Sequence, residues 1–271
     1  MSATDKWSLS GAGPETYEQY QVPSTFEPLA HMLLARVGLV PGQRVLDIAC
    51  GTGIVSRLAA QQLGAGGQVI GVDFNQAMLD VALANAPSTG AAIAWRQGDA
   101  GALPCGDGAF DIVVCQQGLQ FFPDKVGALR EARRVLAADG RAWFVVWRST
   151  EHSPLNRAIS ETVHRHLGPE AEKISLAPFS LGDGDRLRSL FAEAGFRDVE
   201  IEAAQIIRNM LPPDVSIPAL LTSLPIGPQI AALDEAVRLA MVAEVSEALT
   251  DYRTEEGLSV PQGTHFISAA G

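Results

Sequence analysis

The sequence predicts an α/β fold: a doubly wound, mostly parallel sheet of seven strands, with helices on both faces and a helical lid. Five short apolar runs lie between residues 44 and 147, and they lack the polar alternation of a sheet with one wet face. Helical segments of roughly 10–15 residues separate these runs, as parallel connections require. Two more strand-like segments follow in the C-terminal half, which brings the expected number of strands to seven.

The elements follow from apolar periodicity and from the residues that punctuate it. The strands are expected at residues 44–49, 68–73, 91–95, 110–115, 141–147, 198–207 and 264–269, and the helices at residues 54–63, 76–86, 125–138, 185–194 and 231–250. Ser24 and Glu27 form a capping-box pattern that predicts a further helix as far as Val37. Gly140 is interpreted as the terminator of the helix that begins at Lys125. Five prolines between residues 211 and 228 exclude one long helix there.

These elements are expected to form a single domain over residues 1–271, because a chain of this length can bury a sizeable core. The core would comprise about residues 38–205 together with a last strand within residues 258–271. The lid or cap would be built from residues 1–37, 148–180 and 206–257.

Composition and charge exclude several classes of protein. The chain is 47% hydrophobic, which excludes disorder, and its formal net charge is −11. Residues 151–271 carry 18 acidic and 9 basic side chains, and no basic run offers a footprint for nucleic acid or an anionic membrane. With three cysteines and no apolar run of about 18 residues, we expect a cytoplasmic protein without a disulfide framework. The apolar face of residues 231–250 could serve the core or a homodimer.

The strongest local signal is the run VLDIACGTG at residues 45–53. Gly51 and Gly53 follow the first predicted strand, at the edge where open α/β sheets bind ligands. Glycines allow a ligand to approach the backbone closely, and the next helix presents free N–H groups. Asp73 ends the second strand, 20 residues after Gly53, where a carboxylate can accept hydrogen bonds from both hydroxyls of a ribose.

Two nucleotide-type ligands compete for this arrangement. A dinucleotide fingerprint requires Gly or Ala at the sixth position of the motif, and this chain has Ser56 there. Asp47, inside the strand before the glycines, suits a cationic group better than a diphosphate. S-adenosylmethionine offers an ammonium, a sulfonium and a ribose without a phosphate. The charges therefore favour S-adenosylmethionine.

Five ordered motifs carry a family resemblance over about residues 40–150: VLDIACGTG, GVDFNQAML, QGDA at 97–100, DIVVCQQGLQFFPD at 111–124 and LREARRVLAADG at 129–140. Together they resemble the class I S-adenosylmethionine-dependent methyltransferases, which have a Rossmann-like fold. Within this family the chain is most similar to the methyltransferase type 11 branch, which includes quinone-biosynthesis C-methyltransferases and many small-molecule enzymes.

The resemblance implies a set of cofactor contacts. The methionine moiety would lie against Gly51, Thr52 and Gly53, its ammonium near Asp47 and the main-chain carbonyl of Gln116, the ribose on Asp73, and the adenine against Phe74, Met78, Asp99 and Ala100. The product would be S-adenosylhomocysteine. The segment after the fourth strand lacks the Asp/Asn-Pro-Pro-aromatic motif of nucleobase and glutamine methyltransferases. It also lacks carboxylates for a divalent ion, so no metal is expected.

Methyl transfer from a sulfonium is an in-line displacement that depends on placement of the acceptor and on exclusion of water. The five motifs and the absence of polymer-substrate signatures lead us to expect a small-molecule acceptor (methylated on O, N or C), and the need to exclude water leads us to expect a lid over it. The substrate-binding residues are expected to be Tyr17, Tyr20, Gln117 and Phe121, with His152 and Gln120 as catalytic groups. Two alternatives stay open from the residues alone: an NAD(P)-dependent oxidoreductase, and a non-catalytic regulatory protein that binds S-adenosylmethionine.

Overall fold

The computed structural model describes residues 13–271. Its centre is a seven-stranded sheet in the order β3-β2-β1-β4-β5-β7-β6. The strands are β1 (Arg44–Ile48), β2 (Gln68–Asp73), β3 (Ala92–Gln97), β4 (Phe110–Gln116), β5 (Leu136–Trp147), β6 (Arg197–Met210) and β7 (Leu258–Ala270). Strand β1 pairs in parallel with β2 and β4, β2 with β3, and β4 with β5. The predicted fold class is confirmed.

The helices of the described chain are α1 (Gly13–Thr16), α2 (Glu27–Val37), α3 (Ile54–Leu63), α4 (Gln76–Ala84), α5 (Lys125–Val135), α6 (Pro154–Leu167), α7 (Pro169–Ser175), α8 (Gly184–Glu193), α9 (Pro213–Ser223), α10 (Gly227–Ala231) and α11 (Glu235–Ala248). The Pro-rich stretch forms α9 and α10 rather than one long helix, and the exclusion of one long helix is what the five prolines predict. Helices α6 and α7 were not predicted.

Two compact units divide the chain. Within the described chain, the first consists of residues 13–146, 183–203 and 265–271, and the second of residues 147–182 and 204–264. The predicted lid segments 148–180 and 206–257 fall within the second unit, whereas the described part of segment 1–37 belongs to the first. Residues 1–12 of that segment lie outside the described chain. A covering role for these segments stays a prediction.

Each unit has its own apolar interior. In the first unit β1 is the most enclosed strand, and Val45, Leu46 and Ile48 are buried on both faces of the sheet, as expected for parallel strands between helix layers. In the second unit an apolar cluster joins α6, α9 and α11 to the start of β7, and it includes Leu155, Ile159, Val163, Ile217, Leu221, Met241, Val245, Leu258 and Val260.

The order of the parallel strands places the site. Chain order runs outward from β1 in one direction through β2 and β3 and in the other through β4 and β5. The carboxyl ends of β1 and β4 therefore flank the point where the winding reverses, and such a switch point leaves a crevice for a ligand.

The expected end of the helix after Lys125 was wrong, and so was the role of Gly140. Helix α5 stops at Val135, and Gly140 lies inside β5. Strand β5 carries extra residues there, because Phe110 pairs with Leu136 while Ile112 pairs with Arg141. A Cβ on Gly140 would lie 3.1 Å from the carbonyl oxygen of Asp111. The glycine therefore permits this bulge against β4 rather than ending a helix.

The capping box at Ser24 and Glu27 was also wrong. The chain is helical from Gly13 to Val37, and residues 17–26 form wider π-type turns. Pro23 lies inside these turns and has no N–H to donate, which disturbs an α-helical bonding pattern. The Ser24 hydroxyl donates to the Tyr20 carbonyl at 2.7 Å instead of capping a helix.

Trp95 of β3 packs on a glycine of β2. A Cβ on Gly71 would lie 2.6 Å from two carbon atoms of the Trp95 ring and 3.1 Å from Cys50 Sγ. We expect Gly71→Ala to lower the free energy of unfolding by about 1–3 kcal/mol, because the ring has to shift within a packed layer. Urea unfolding measures this loss.

Gly66→Ala is the matched control. A Cβ on Gly66 would come no nearer than 4.0 Å to another heavy atom, so its effect should stay within about 0.5 kcal/mol. Equal losses in the two variants would show that Trp95 does not constrain this position.

Candidate active site

The site begins at the turn between β1 and α3. Ala49, Gly51 and Gly53 all have positive φ angles, of 56°, 57° and 86°, and the Gly53 N–H donates to the Cys50 carbonyl at 2.9 Å. This tight bend starts α3 directly at Ile54. The unpaired N–H groups of the first helical turn therefore lie at the carboxyl edge of the sheet.

Gly53 has a packing role that sequence reasoning missed. A Cβ on Gly53 would overlap the Trp95 ring and lie 3.2 Å from Ala82 Cβ. A Cβ on Gly51 would meet Met78 Cε at an ordinary 3.5 Å. Gly53 is thus required by the neighbouring ring as well as favoured by its positive φ angle, whereas at Gly51 only the φ angle favours glycine.

Asp73 connects the tip of β2 to this bend. Its Oδ2 accepts from the Gly51 N–H and its Oδ1 from the Asn75 N–H, both at 2.8 Å. Burial raises the pKa of Asp73, and the backbone N–H groups oppose that shift. Each carboxylate oxygen has a second lone pair. Asp73 can therefore hold the bend in shape and still accept hydrogen bonds from a ligand.

Asp47 plays the corresponding part at β1. Its side chain is 1% exposed, and Oδ2 accepts from the Ser56 N–H at 3.1 Å and from the Ser56 hydroxyl at 2.7 Å. Burial raises the pKa of Asp47 from 3.8 to about 7, partly offset by the bonds from Ser56, while the charge of Asp73 raises it further. Ser56 was read only as a departure from the dinucleotide fingerprint, but it is the partner of a buried acid.

The charges around the bend indicate whether a cationic ligand or a diphosphate fits there. Arg57, on the first turn of α3, is bonded to Glu18 at 2.6 Å and to the Thr52 carbonyl. The bend thus combines two carboxylates with a guanidinium that is already paired. The buried Thr52 hydroxyl oxygen also has no hydrogen-bond partner among the described residues. Such an edge suits a cationic ligand that carries hydroxyl and amino groups, and it disfavours a diphosphate.

The predicted adenine-binding residues lie at the ends of β2 and β3. Phe74 is 71% exposed, and its carbonyl accepts from the Gln97 side chain at 3.1 Å. Met78 is partly buried on α4, and Ala100 is partly buried after β3. Asp99 is exposed, and its Oδ1 accepts from the Gly101 N–H at 2.8 Å. An exposed aromatic ring at this edge is available for stacking.

Comparison with known proteins identifies the family. Residues 45–140 match a family model described as a methyltransferase domain. A demethylmenaquinone methyltransferase of Lactococcus lactis is 33% identical over 183 residues, which cover 62% of this chain and 71% of the relative. A 2-phytyl-1,4-naphtoquinone methyltransferase of Synechococcus elongatus is 40% identical over 169 residues, which cover 58% of this chain and 72% of the relative.

The chain belongs to the class I S-adenosylmethionine-dependent methyltransferases. Its cofactor is S-adenosylmethionine and its acceptor is a small molecule. The fold agrees: a phosphoethanolamine N-methyltransferase of Haemonchus contortus, solved with S-adenosylhomocysteine, superposes with a TM-score of 0.62 at 20% identity over 100% of this chain and 60% of that one. Neither the oxidoreductase nor the non-catalytic alternative is supported by these comparisons.

This methyltransferase carries a pair of buried amides just after β4. Gln120 Nε2 donates to Gln117 Oε1 at 2.8 Å, and both side chains are buried. Gln117 has a φ angle of 58° and its N–H donates to the Val145 carbonyl at 2.8 Å. Gln117 Nε2 and Gln120 Oε1 are enclosed and have no partner within residues 13–271. The pair therefore presents one free donor group and one free acceptor.

The N-terminal helical segment of the methyltransferase reaches the same strand ends. The Gln116 side chain donates to the Phe26 carbonyl at 3.0 Å, and the Tyr17 ring packs on Phe26 with centroids 5.0 Å apart. Burial raises the pKa of Tyr17, and the nearby charge of Asp73 adds to the shift. Tyr17 thus lies on the cofactor side of the site, whereas Tyr20 is 62% exposed.

His152 belongs to the second unit and is exposed. Its Nε2 lies 2.7 Å from the Arg148 guanidinium, which can only donate. The predicted catalytic role of His152 stays a prediction, as do the substrate-binding roles of Tyr17, Tyr20 and the partly buried Phe121.

Two further findings concern residues 13–271. No group of three or more His, Cys, Asp or Glu side chains there could hold a metal ion, and none of the helices has the length and apolarity to cross a membrane.

Burial raises the pKa of the Cys50 and Cys115 thiols. These two thiols are therefore protonated and unreactive at neutral pH.

The buried Asp47 predicts a pH-dependent stability. Because its pKa is higher in the folded chain than its ordinary value of 3.8, the folded state holds the extra proton, and this contribution to stability is lost as pH rises from about 4 to 7. Asp47→Asn keeps the shape without the charge. Its unfolding free energy relative to the native chain should therefore increase with pH, by up to about 1.4 kcal/mol per pH unit within that window.

Denaturant unfolding at a series of pH values measures this difference. The exposed Asp80, whose side chain accepts only from Gln76, supplies the control Asp80→Asn, for which the difference should stay flat. A flat difference for Asp47→Asn as well would show that Asp47 is not a strained buried acid.

Proposed function

We propose that this methyltransferase acts on a small hydroxylated aromatic ring of the quinol type, and that the Gln117–Gln120 pair binds the ring oxygens. The observation that carries the proposal is the pair itself: two buried neutral amides, each with one polar group left unsatisfied. A buried polar group without a partner is costly unless a ligand or water completes it. The two relatives described above are named for quinone-type substrates.

To satisfy this pair, the methyl acceptor must carry one hydrogen-bond acceptor and one hydrogen-bond donor. Gln117 Nε2 would donate to an oxygen of the ring, and Gln120 Oε1 would accept from a ring hydroxyl. Neutral amides can hold a quinol without the cost of burying an unpaired charge. Because the two side chains are bonded to each other, the acceptor would meet a rigid donor–acceptor pair, and this favours a fixed orientation.

The bound cofactor supplies a methyl group on a positively charged sulfur. For the residues of this chain we propose the following tasks. Asp73 would hold the ribose hydroxyls with its remaining lone pairs while it keeps Gly51 and Asn75 in place. Asp47 would favour the positive charge of the methionine moiety from beneath the bend. The exposed Phe74 ring would stack on the adenine.

The N-terminal helical segment, residues 13–37, would cover the cofactor. Three contacts support this role: the Glu18–Arg57 ion pair at 2.6 Å, the Gln116–Phe26 bond and the burial of Tyr17 beside Asp73. A groove of about 420 Å³ lies along this segment, between Val22 and Leu58. A cover held by an ion pair can open for exchange and close to exclude water.

Location and assembly complete the proposal. Free cysteines at positions 50, 105 and 115 fit a reducing compartment such as the cytoplasm. In this proposal the chain forms a homodimer through α11, whose Leu239 is exposed. Sedimentation of the native chain and of Leu239→Asp tests this last point.

Asp73→Ala should weaken binding of S-adenosylhomocysteine about 10- to 100-fold, because a charged acceptor of two hydroxyl groups is lost. Isothermal calorimetry measures the change. Asp80→Ala on the neighbouring helix α4 is the control and should bind normally. Unchanged affinity in Asp73→Ala would contradict the ribose assignment.

Gln120→Leu should lower kcat/KM for a quinol acceptor about 10- to 100-fold, since the enclosed amide group has no replacement. Affinity for S-adenosylhomocysteine should not change. The assay follows methylated product by mass spectrometry with 1,4-naphthohydroquinone and simple catechols as acceptors. Gln62→Ala, exposed on α3, is the control. If Gln120→Leu methylates these acceptors at the native rate, the amide pair does not bind the acceptor.

A further inference from the structure

An arginine occupies an apolar position in the second unit. Arg208 lies on β6 and is 7% exposed. Side chains alternate along a strand, so Ile206 and Met210 share the face of Arg208. Ile206 is buried, and the partly buried Met210 packs against the apolar cluster of this unit. Exposed Ile207 and Asn209 point the other way. A cation thus stands where the pattern otherwise places apolar side chains.

Arg208 is nearly without partners. Its one hydrogen bond runs from Nη1 to Gln262 Oε1 on β7, at 3.3 Å, and Gln262 is itself 4% exposed. The enclosed Nε has no partner in the described chain, and no carboxylate among residues 13–271 pairs with this guanidinium. Burial lowers the pKa of Arg208 to about 10, the direction expected of a cation that lacks a counter-charge.

Other arginines of the chain show what kind of group binds the Nε–Nη2 edge of a guanidinium. In three of them Nε and Nη2 bind the two separate oxygens of one carboxylate: Arg36 binds Glu202 at 2.9 and 2.6 Å, Arg44 binds Asp111 at 3.2 and 2.6 Å, and Arg134 binds Glu131 at 2.7 Å through both nitrogens. This two-point geometry is the usual fork between a guanidinium and a planar carboxylate. In Arg208 the enclosed Nε lacks a partner within the described residues, and the hydrogen bond to Gln262 is made by Nη1, which leaves the Nε–Nη2 edge open.

We infer that Arg208 and Gln262 form a binding site for the carboxylate of a small-molecule ligand. Residues 151–271 contain 18 acidic and 9 basic side chains. Carboxylates are therefore plentiful in this part of the chain, yet none of them pairs with Arg208. A buried cation without a partner is strongly unfavourable. A ligand carboxylate would supply the missing charge, and Gln262 holds the guanidinium at its opposite edge.

The carboxylate has two chemical sources: the methyl acceptor itself or a separate effector. Both would meet the same guanidinium edge. The inference concerns binding by the second unit and does not depend on the quinol proposal, so it is tested by a binding measurement that needs no turnover.

Benzoate is the probe and benzamide its neutral isostere, titrated into the full-length protein by calorimetry. We expect benzoate to bind and benzamide to bind at least about 10-fold more weakly, since the charged pair is lost. Arg208→Met should weaken benzoate binding about 10- to 100-fold and leave S-adenosylhomocysteine binding unchanged. Arg165→Met, which removes a paired and partly exposed arginine, should bind benzoate normally.

Gln262→Glu gives a second test that does not remove the arginine. A carboxylate placed 3.3 Å from Nη1 would neutralise Arg208 from within and should weaken benzoate about 10-fold or more. The inference is overturned if benzoate and benzamide bind equally, or if both variants bind benzoate like the native chain. If Arg208→Met fails to fold, Gln262→Glu alone decides the matter.

Turnover then separates the two sources. If the carboxylate belongs to the acceptor, Arg208→Met raises KM for 3,4-dihydroxybenzoate and leaves catechol unaffected. If it belongs to an effector, benzoate changes the rate of catechol methylation in the native chain and not in Arg208→Met. Absence of benzoate binding in the native chain refutes the carboxylate site, whichever way the quinol experiment ends.

Discussion

Two carboxylates, the buried Asp47 and the partly buried Asp73, hold the glycine bend on which the site depends. Asp73 receives the N–H groups of Gly51 and Asn75, and Asp47 receives the backbone and hydroxyl of Ser56. The bend is thus attached to β2 through one acid, while the other joins β1 to α3. The same groups that make the edge negative also set its shape, so binding of a cationic nucleoside requires little rearrangement.

The packing behind the bend makes this arrangement rigid. Trp95 fills the space that side chains on Gly53 and Gly71 would need, so β1, β2 and β3 are held together around one ring. The amide pair beyond β4 is likewise fixed by its own hydrogen bond and by the Gln117–Val145 bond. The residues proposed to hold the cofactor and the acceptor therefore lie on strand ends that this packing and these hydrogen bonds hold in place.

Much of this could be predicted from the sequence, because fully apolar strands, the glycine bend and the acid at the end of β2 are local patterns. The wrong predictions concern positions whose role depends on surroundings that the local pattern does not show. Gly140 resembled a helix terminator, but a Cβ there would meet Leu136 and Ala137 of its own strand and the carbonyl of Asp111 on the neighbouring one. Ser24 resembled a cap, but Pro23 changed the helical turns around it. The pairing of Asp47 with Ser56 and the unpaired Arg208 depend on burial, which periodicity alone does not reveal.

The Asp47–Ser56 pair also bears on how this bend could change in evolution. Exchange of Ser56 for the glycine of a dinucleotide fingerprint would remove a hydroxyl donor from a buried acid. Exchange of Asp47 for an apolar residue would leave the buried hydroxyl without its acceptor. Each single step is unfavourable, while the double exchange removes both polar groups together. The residues at positions 47 and 56 are therefore expected to change together rather than one at a time.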